Sequence, residues 1–147
     1  MRTMDEATVV IKTTFHVPVE KVWQAWTNPA LIMRWFGSDP HGSVSKAVLD
    51  VRPGGHFEIT FNDSDKTEHT CSGIYKDVEK FRKLTFSWMW KSEPGFESSV
   101  CLLLIGEGNA THMQFTHSDL WHESKHSYEQ GWRGAFSKLE KILEASV

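Results

Sequence analysis

The C-terminal twenty residues constrain the fold of this chain most. Tyr128, Trp132, Ala135, Phe136, Leu139, Ile142 and Leu143 recur at helical spacing and make one continuous apolar stripe. Glu129, Arg133, Lys138, Glu140, Lys141 and Glu144 fall mainly on the opposite side. The stripe is aromatic in its N-terminal half and aliphatic in its C-terminal half. A helix of this kind needs a broad concave apolar surface to lie in, so the preceding residues must supply one.

They have the material for it. A chain of 147 residues is the size of one domain and buries roughly 70% of its unfolded surface. Seven Trp and nine Phe are more ring volume than tight packing demands, which suits an aromatic-walled pocket. A net charge of −3 and a pI near 6.2, with no Lys/Arg run, argue against nucleic acid as a partner. No apolar window of about 18 residues is present to span a membrane. The start of the chain lacks the apolar core and cleavage site of a secretion signal, so a cytoplasmic location is expected. Cys71 and Cys101 both fall in strand-like segments and read as reduced, buried thiols.

Taken in order, residues 7–17 are β-branched and aromatic and read as a strand ending at Pro18. Pro18 and Glu20 suit the first turn of a short helix with Val19, Val22, Trp23 and Trp26 on its apolar face. Thr27-Asn28-Pro29 interrupts it, and Asn28 or Thr27 can cap a second short helix carrying Leu31, Ile32, Trp35 and Phe36 and ended by Gly37. A polar loop over 38–45 follows as a candidate flexible rim. Strands are expected over 46–51, 56–62, 67–78, 83–90, 96–105 and 111–116, joined by short turns. Gly73, inside one of them, marks a bend or a close backbone approach. One strand, two short helices, six strands and a long helix make an α+β domain. Its antiparallel meander is able to curve around the last helix.

Several segments resemble the START-like (SRPBCC) superfamily, whose helix-grip fold is also seen in the major birch pollen allergen. They are Val17-Pro18-Val19-Glu20 running on to Trp26-Thr27-Asn28-Pro29, LIMRWFG over 31–37, DVRPGGHF over 50–57, LTFSW over 84–88, and Gly131-Trp132. Within it the chain looks most like the branch named after the C-terminal domain of the activator of Hsp90 ATPase. The resemblance covers essentially the whole length. It implies an antiparallel sheet of about seven strands gripping the C-terminal helix, with two short helices closing one end. It also implies a hydrophobic cavity between sheet and helix. Functions in the superfamily run from ligand binding and transport through polyketide aromatisation and self-resistance to co-chaperone work, and the fold does not choose among them.

Candidate chemistry is sparse. His122-Glu123-Ser124-Lys125-His126 spells HExxH, which on a helix places two imidazoles to bind zinc with Glu123 as base. The preferred reading is the polar first turn of a surface helix, because Ser124 and Lys125 are polar where a buried metal helix is apolar. No metal or cofactor is expected. His117 shares a strand face with Met113 and Phe115. It is either a polar hook at a pocket mouth or a strand-end histidine bonded to the last helix, and the second is favoured. His56 and Glu58 alternate out of phase with Phe57 and Ile59 and so read as exposed.

Trp23 and Trp26 suit packing of the helix pair. Trp35, Phe57, Phe61, Trp88, Trp90, Phe115, Trp132 and Phe136, with the polar tips of His117 and Tyr128, are the candidate ligand contacts. Tyr128, bearing the one hydroxyl on the helix stripe, is the best single polar contact. No Ser/His/Asp elbow, phosphate loop, dinucleotide fingerprint or CxxC pair occurs. The expected function is therefore binding of a small apolar or aromatic molecule. The alternatives are a cyclase- or hydrolase-type enzyme using His117 or Tyr128 to carry protons, and partner binding of the co-chaperone kind. The sequence leaves a homodimer open.

Overall fold

In the computed structural model, which describes residues 6–145, the β-branched first segment forms β1 (Glu6–Phe15). Pro18 stands at the N-cap of α1 (Val19–Thr27) with extended backbone, and Glu20 lies in the first turn. Val22, Trp23, Ala25 and Trp26 form its buried face. Asn28 ends α1 and caps α2 (Pro29–Ile32), its Oδ1 accepting from the Ala30 N–H at 2.9 Å. Regular α2 is shorter than the apolar spacing suggests. Its turns continue through Met33 N–H to Pro29 O and Phe36 N–H to Ile32 O, which carries Trp35 and Phe36 inward. Gly37, at φ 98°, then reverses the chain.

Strands β2 (Ser43–Leu49), β3 (His56–Asn62), β4 (Glu68–Glu79), β5 (Lys83–Trp90), β6 (Ser98–Glu107) and β7 (Ala110–Trp121) complete the sheet. Its seven strands lie in the order β1-β7-β6-β5-β4-β3-β2 and all pair antiparallel. A 3₁₀ turn at His122–Ser124 leads into α3 (Lys125–Ala145), which lies in the curve of the sheet. This is the helix-grip arrangement that the resemblance implies. Among the described residues no helix is long and apolar enough to cross a membrane.

The inner face of the sheet follows strand alternation. Phe57, Ile59 and Phe61 are buried on β3, Leu84, Phe86 and Trp88 on β5, and Met113, Phe115 and His117 on β7. They meet Trp132, Ala135, Phe136, Leu139 and Leu143 of α3. Cys71 is buried and Cys101 half-buried, and both are free thiols. Gly73 is the close approach expected: a Cβ there would lie 1.9 Å from Ser87 O and 2.7 Å from Phe57 Cε1. The strand irregularity follows it, between Tyr75 and Val78.

The final strand differs from its expected end. It does not stop at Thr116 but runs to Trp121, in register with β6 as far as Ser118 and with β1 again at Leu120 and Trp121. Residues 117–121, expected to lie beyond the strand, continue it. Asp119 takes φ 63° near the register shift between Ala7 and Val9, so the strand bends there and does not end.

Candidate functional site

The extension of β7 decides where His117 sits. It is in the interior of the strand and fully buried, with its ring edge-on to Tyr128 at 4.9 Å and to Trp88 at 5.5 Å. Trp132 Nε1 donates to its Nδ1 at 3.0 Å. An indole nitrogen only donates, so Nδ1 is the bare nitrogen and Nε2 carries the hydrogen. Nε2 then donates to Ser98 Oγ at 2.8 Å, and Ser98 Oγ donates to the Trp88 carbonyl at 3.5 Å. Burial pushes the imidazole down to about 3, so it stays neutral at ordinary pH. With both nitrogens engaged inside the protein, His117 has no free atom for a ligand. His117 is a buried tie between β6, β7 and α3: it is bonded to the last helix, at Trp132, but from within the strand and not from its end.

An open recess of about 250 Å³ lies beside this tie, between the β3–β5 end of the sheet and the first turns of α3. Phe36, Gly37, Ser38, Phe61, His69, Trp88, Trp90, Ser127, Tyr128, Gly131, Trp132 and Ala135 line it. Small residues keep it open on one side. Gly131 faces Ser38 with room for a Cβ, which would lie 3.7 Å from the Ser38 Cβ. Gly134, one turn on, has none: its Cβ would fall 2.6 Å from Ser38 O.

The rim loop after Gly37 is held from two sides. Asp39 accepts from the backbone of His41 and from both the N–H and the hydroxyl of Ser64, and these bonds lower its carboxyl to about 2. Lys138, from α3, donates to the carbonyls of Phe36 and Asp39. Burial lowers the Lys138 pKa below its usual range.

The polar groups facing the recess are few. Tyr128 Oη accepts from Trp90 Nε1 at 2.7 Å, and Trp88 Nε1 comes near the same oxygen without completing a hydrogen bond. Burial, the larger effect, raises the phenol's pKa against the pull of these indoles. His69 packs beside Phe61 and Trp90 with ring centroids at 5.3 and 6.1 Å, and its Nε2 pairs with Asp63 Oδ2 at 2.8 Å. No lysine or arginine is in the lining.

Of the expected contacts, Phe61, Trp88, Trp90, Tyr128 and Trp132 come together around this recess. Trp35, Phe57, Phe115 and Phe136 are placed in the packed interior. Trp35 donates Nε1 to Ala25 O at 2.9 Å and packs on Trp26 at 4.8 Å. Phe57 is edge-on to Phe86 at 5.2 Å. Phe115 meets Trp132 at 4.5 Å and Phe136 at 5.0 Å, so these rings fill one another's space. Phe36, Gly37, Ser38, His69, Ser127, Gly131 and Ala135 complete the lining and went unread as site residues. For His69 a signal was present: it is two residues from buried Cys71 on the inward phase of β4.

His122 and Glu123 lie in the 3₁₀ turn and His126 in the first turn of α3, and all three are exposed. The two histidines therefore straddle a change of helix type and do not share one regular helical face. Among the described residues no three His, Cys, Asp or Glu side chains are grouped to hold a metal.

Comparison with solved structures finds the same architecture in bacterial proteins. The AHSA1 protein of Silicibacter pomeroyi is 22% identical, with 96% of this chain and 100% of that one covered at a TM-score of 0.86. A protein from Rhizobium leguminosarum is 24% identical, with 96% of each chain covered at 0.83. CalU16 from Micromonospora echinospora is 29% identical, with 92% of this chain and 75% of that one covered at 0.72. No curated protein matches the sequence. The family model described as activator of Hsp90 ATPase homolog 1-like protein matches residues 16–144. The chain belongs to the family of activator of Hsp90 ATPase homolog 1-like proteins.

Proposed function

We propose that this protein binds a small apolar or aromatic molecule in the recess between β3–β5 and the start of α3. The observation that carries the reading is the lining itself. Phe36, Phe61, Trp88, Trp90, Tyr128 and Trp132 converge on one space that no side chain fills. A folded interior ordinarily closes such gaps, because voids forfeit dispersion contacts. The volume suits a molecule of about two fused rings, at the small end of ligand pockets. Burying about 200 Å² of its apolar surface contributes roughly 5 kcal/mol, before the cost of immobilising it. No group is positioned here as an activated nucleophile, and His117 is sealed from the recess, so binding accounts for the geometry better than catalysis.

The seven Trp side chains provide the test. Heteronuclear NMR of the protein titrated with tetralin should move the indole N–H signals of Trp88, Trp90 and Trp132. It should leave that of Trp121, which stacks on Phe96, in place. Signals unchanged at saturating tetralin, or shifts confined to Trp121 and other distant indoles, would exclude the reading.

A further inference from the structure

The polarity of the recess restricts its ligand further, if the binding reading above holds. Tyr128 Oη is already an acceptor for Trp90 Nε1 at 2.7 Å, and the unpaired Trp88 Nε1 approaches the same oxygen. The phenolic hydrogen, by contrast, has no acceptor among the described residues. With its oxygen accepting from the Trp90 N–H, the hydroxyl remains free to donate to whatever occupies the recess. A ligand atom meeting it must offer a lone pair.

Charge narrows the class again. The lining holds no lysine or arginine, and the nearby Lys138 ammonium is turned onto two backbone carbonyls. Carboxylates near the rim are Asp39, tied to Ser64, Asp63, paired with His69, and Glu93, whose charge acts on Tyr128. The His69 ring in the lining is engaged through Nε2 by the Asp63 carboxylate. An anionic ligand would lose its hydration here without a cation to replace it.

We propose that the recess takes a neutral aromatic carbonyl compound of about two rings, its carbonyl oxygen accepting the hydrogen bond of Tyr128 Oη. Rings supply the stacking surface for Phe61, Trp90 and Trp132, and one carbonyl satisfies the unused donor.

The test compares three two-ring molecules: α-tetralone, which carries a ketone, tetralin, which carries no oxygen, and α-naphthoate, which carries a carboxylate. Their dissociation constants are measured by NMR titration on wild type and Tyr128→Phe. A neutral hydrogen bond corresponds to roughly a two- to twelvefold change in affinity. The Tyr128→Phe substitution should weaken α-tetralone by that factor and leave tetralin unchanged, with α-naphthoate the weakest ligand of wild type. The carbonyl stretch of bound α-tetralone should lie at lower frequency in wild type than in Tyr128→Phe, a readout that a purely structural role for the phenol would not move. Equal effects of Tyr128→Phe on ketone and hydrocarbon, or α-naphthoate binding tighter than either, overturns this inference and leaves the binding reading standing. Failure of all three to bind wild type overturns both.

Discussion

The indole of Trp132 and the imidazole of His117 are joined by a 3.0 Å hydrogen bond, and the other imidazole nitrogen reaches Ser98. Through two side-chain bonds and Ser98's return to the Trp88 carbonyl, helix α3 is bonded across β7 and β6 to β5. The chain is satisfied only while His117 is neutral, since Nδ1 must accept. It therefore orients the Trp132 ring, which walls the recess, through a group that acid can switch off.

Acid should accordingly weaken the fold through His117. The ordinary value of 6.5 is lowered to about 3 by burial, so between these the unfolded chain binds a proton that the folded one refuses. The stabilisation is fully present above about pH 6.5 and is lost as pH falls toward 3. The slope is roughly 1.4 kcal/mol per pH unit while one proton separates the states. Urea unfolding of wild type and His117→Asn at several pH values checks this. The difference between their stabilities should shrink as pH is lowered from 6.5 to 4; a difference that does not vary with pH excludes the mechanism.

Gly73 should be among the least replaceable glycines. Alanine there would drive its Cβ to 1.9 Å from the Ser87 carbonyl oxygen, which is backbone of a central strand and cannot turn aside. Forced overpacking costs about 1–3 kcal/mol, and backbone displacement adds to it. Gly54 offers the contrast: its Cβ would meet nothing within 4 Å, but its φ of 85° leaves a left-handed penalty of about 1–2 kcal/mol. Chemical denaturation should rank Gly73→Ala below Gly54→Ala, and the reverse order would contradict the close approach.

These residues also mark what the sequence could and could not disclose. Period-two alternation placed Phe57, Ile59 and Phe61, and Met113, Phe115 and His117, on the inner face, because a pleated strand leaves no other choice. The helical stripe likewise located Trp132, Phe136 and Leu139. Alternation is silent on depth, however. His117 looked like a strand end because polar residues follow it, whereas the ladder continues to Trp121. Nor does an aromatic count distinguish rings that fill one another's space, as Phe115 and Phe136 do at 5.0 Å, from rings that border a gap. The gap depends on side chains that are missing at Gly37 and Gly131 and small at Ser38, and on a loop path that no local pattern encodes.

The loop rim should depend on the Asp39 carboxylate. Hydrogen bonds from the Ser64 and His41 backbones and the Ser64 hydroxyl hold it ionised down to about pH 2. Its contribution is thus complete above its ordinary value of 3.8 and is lost as pH falls through about 2. Asp39→Ala should accelerate amide hydrogen exchange at His41 and Ser64, whose N–H groups donate to it, and spare the paired amides of β5 and β6. Unchanged exchange at both positions would mean that the loop is held by Lys138 and packing alone.

The two helix glycines that face Ser38 should separate occupancy of the recess from integrity of its rim. At Gly131 the nearest atom to an added Cβ is 3.7 Å away, an ordinary contact, and the position lines the recess. Gly131→Leu therefore extends into the empty space, and replacing helical glycine contributes about 0.5–1 kcal/mol. At Gly134 even a methyl group would meet the Ser38 carbonyl oxygen at 2.6 Å. Gly134→Ala has the same helix preference working for it and a displaced rim working against it. Thermal unfolding with and without tetralin distinguishes the pair. Gly131→Leu should melt at or above the wild-type temperature and show no rise with tetralin, whereas Gly134→Ala should melt lower and keep some response. If Gly131→Leu still binds tetralin with wild-type affinity, the ligand does not occupy the part of the recess that Gly131 lines.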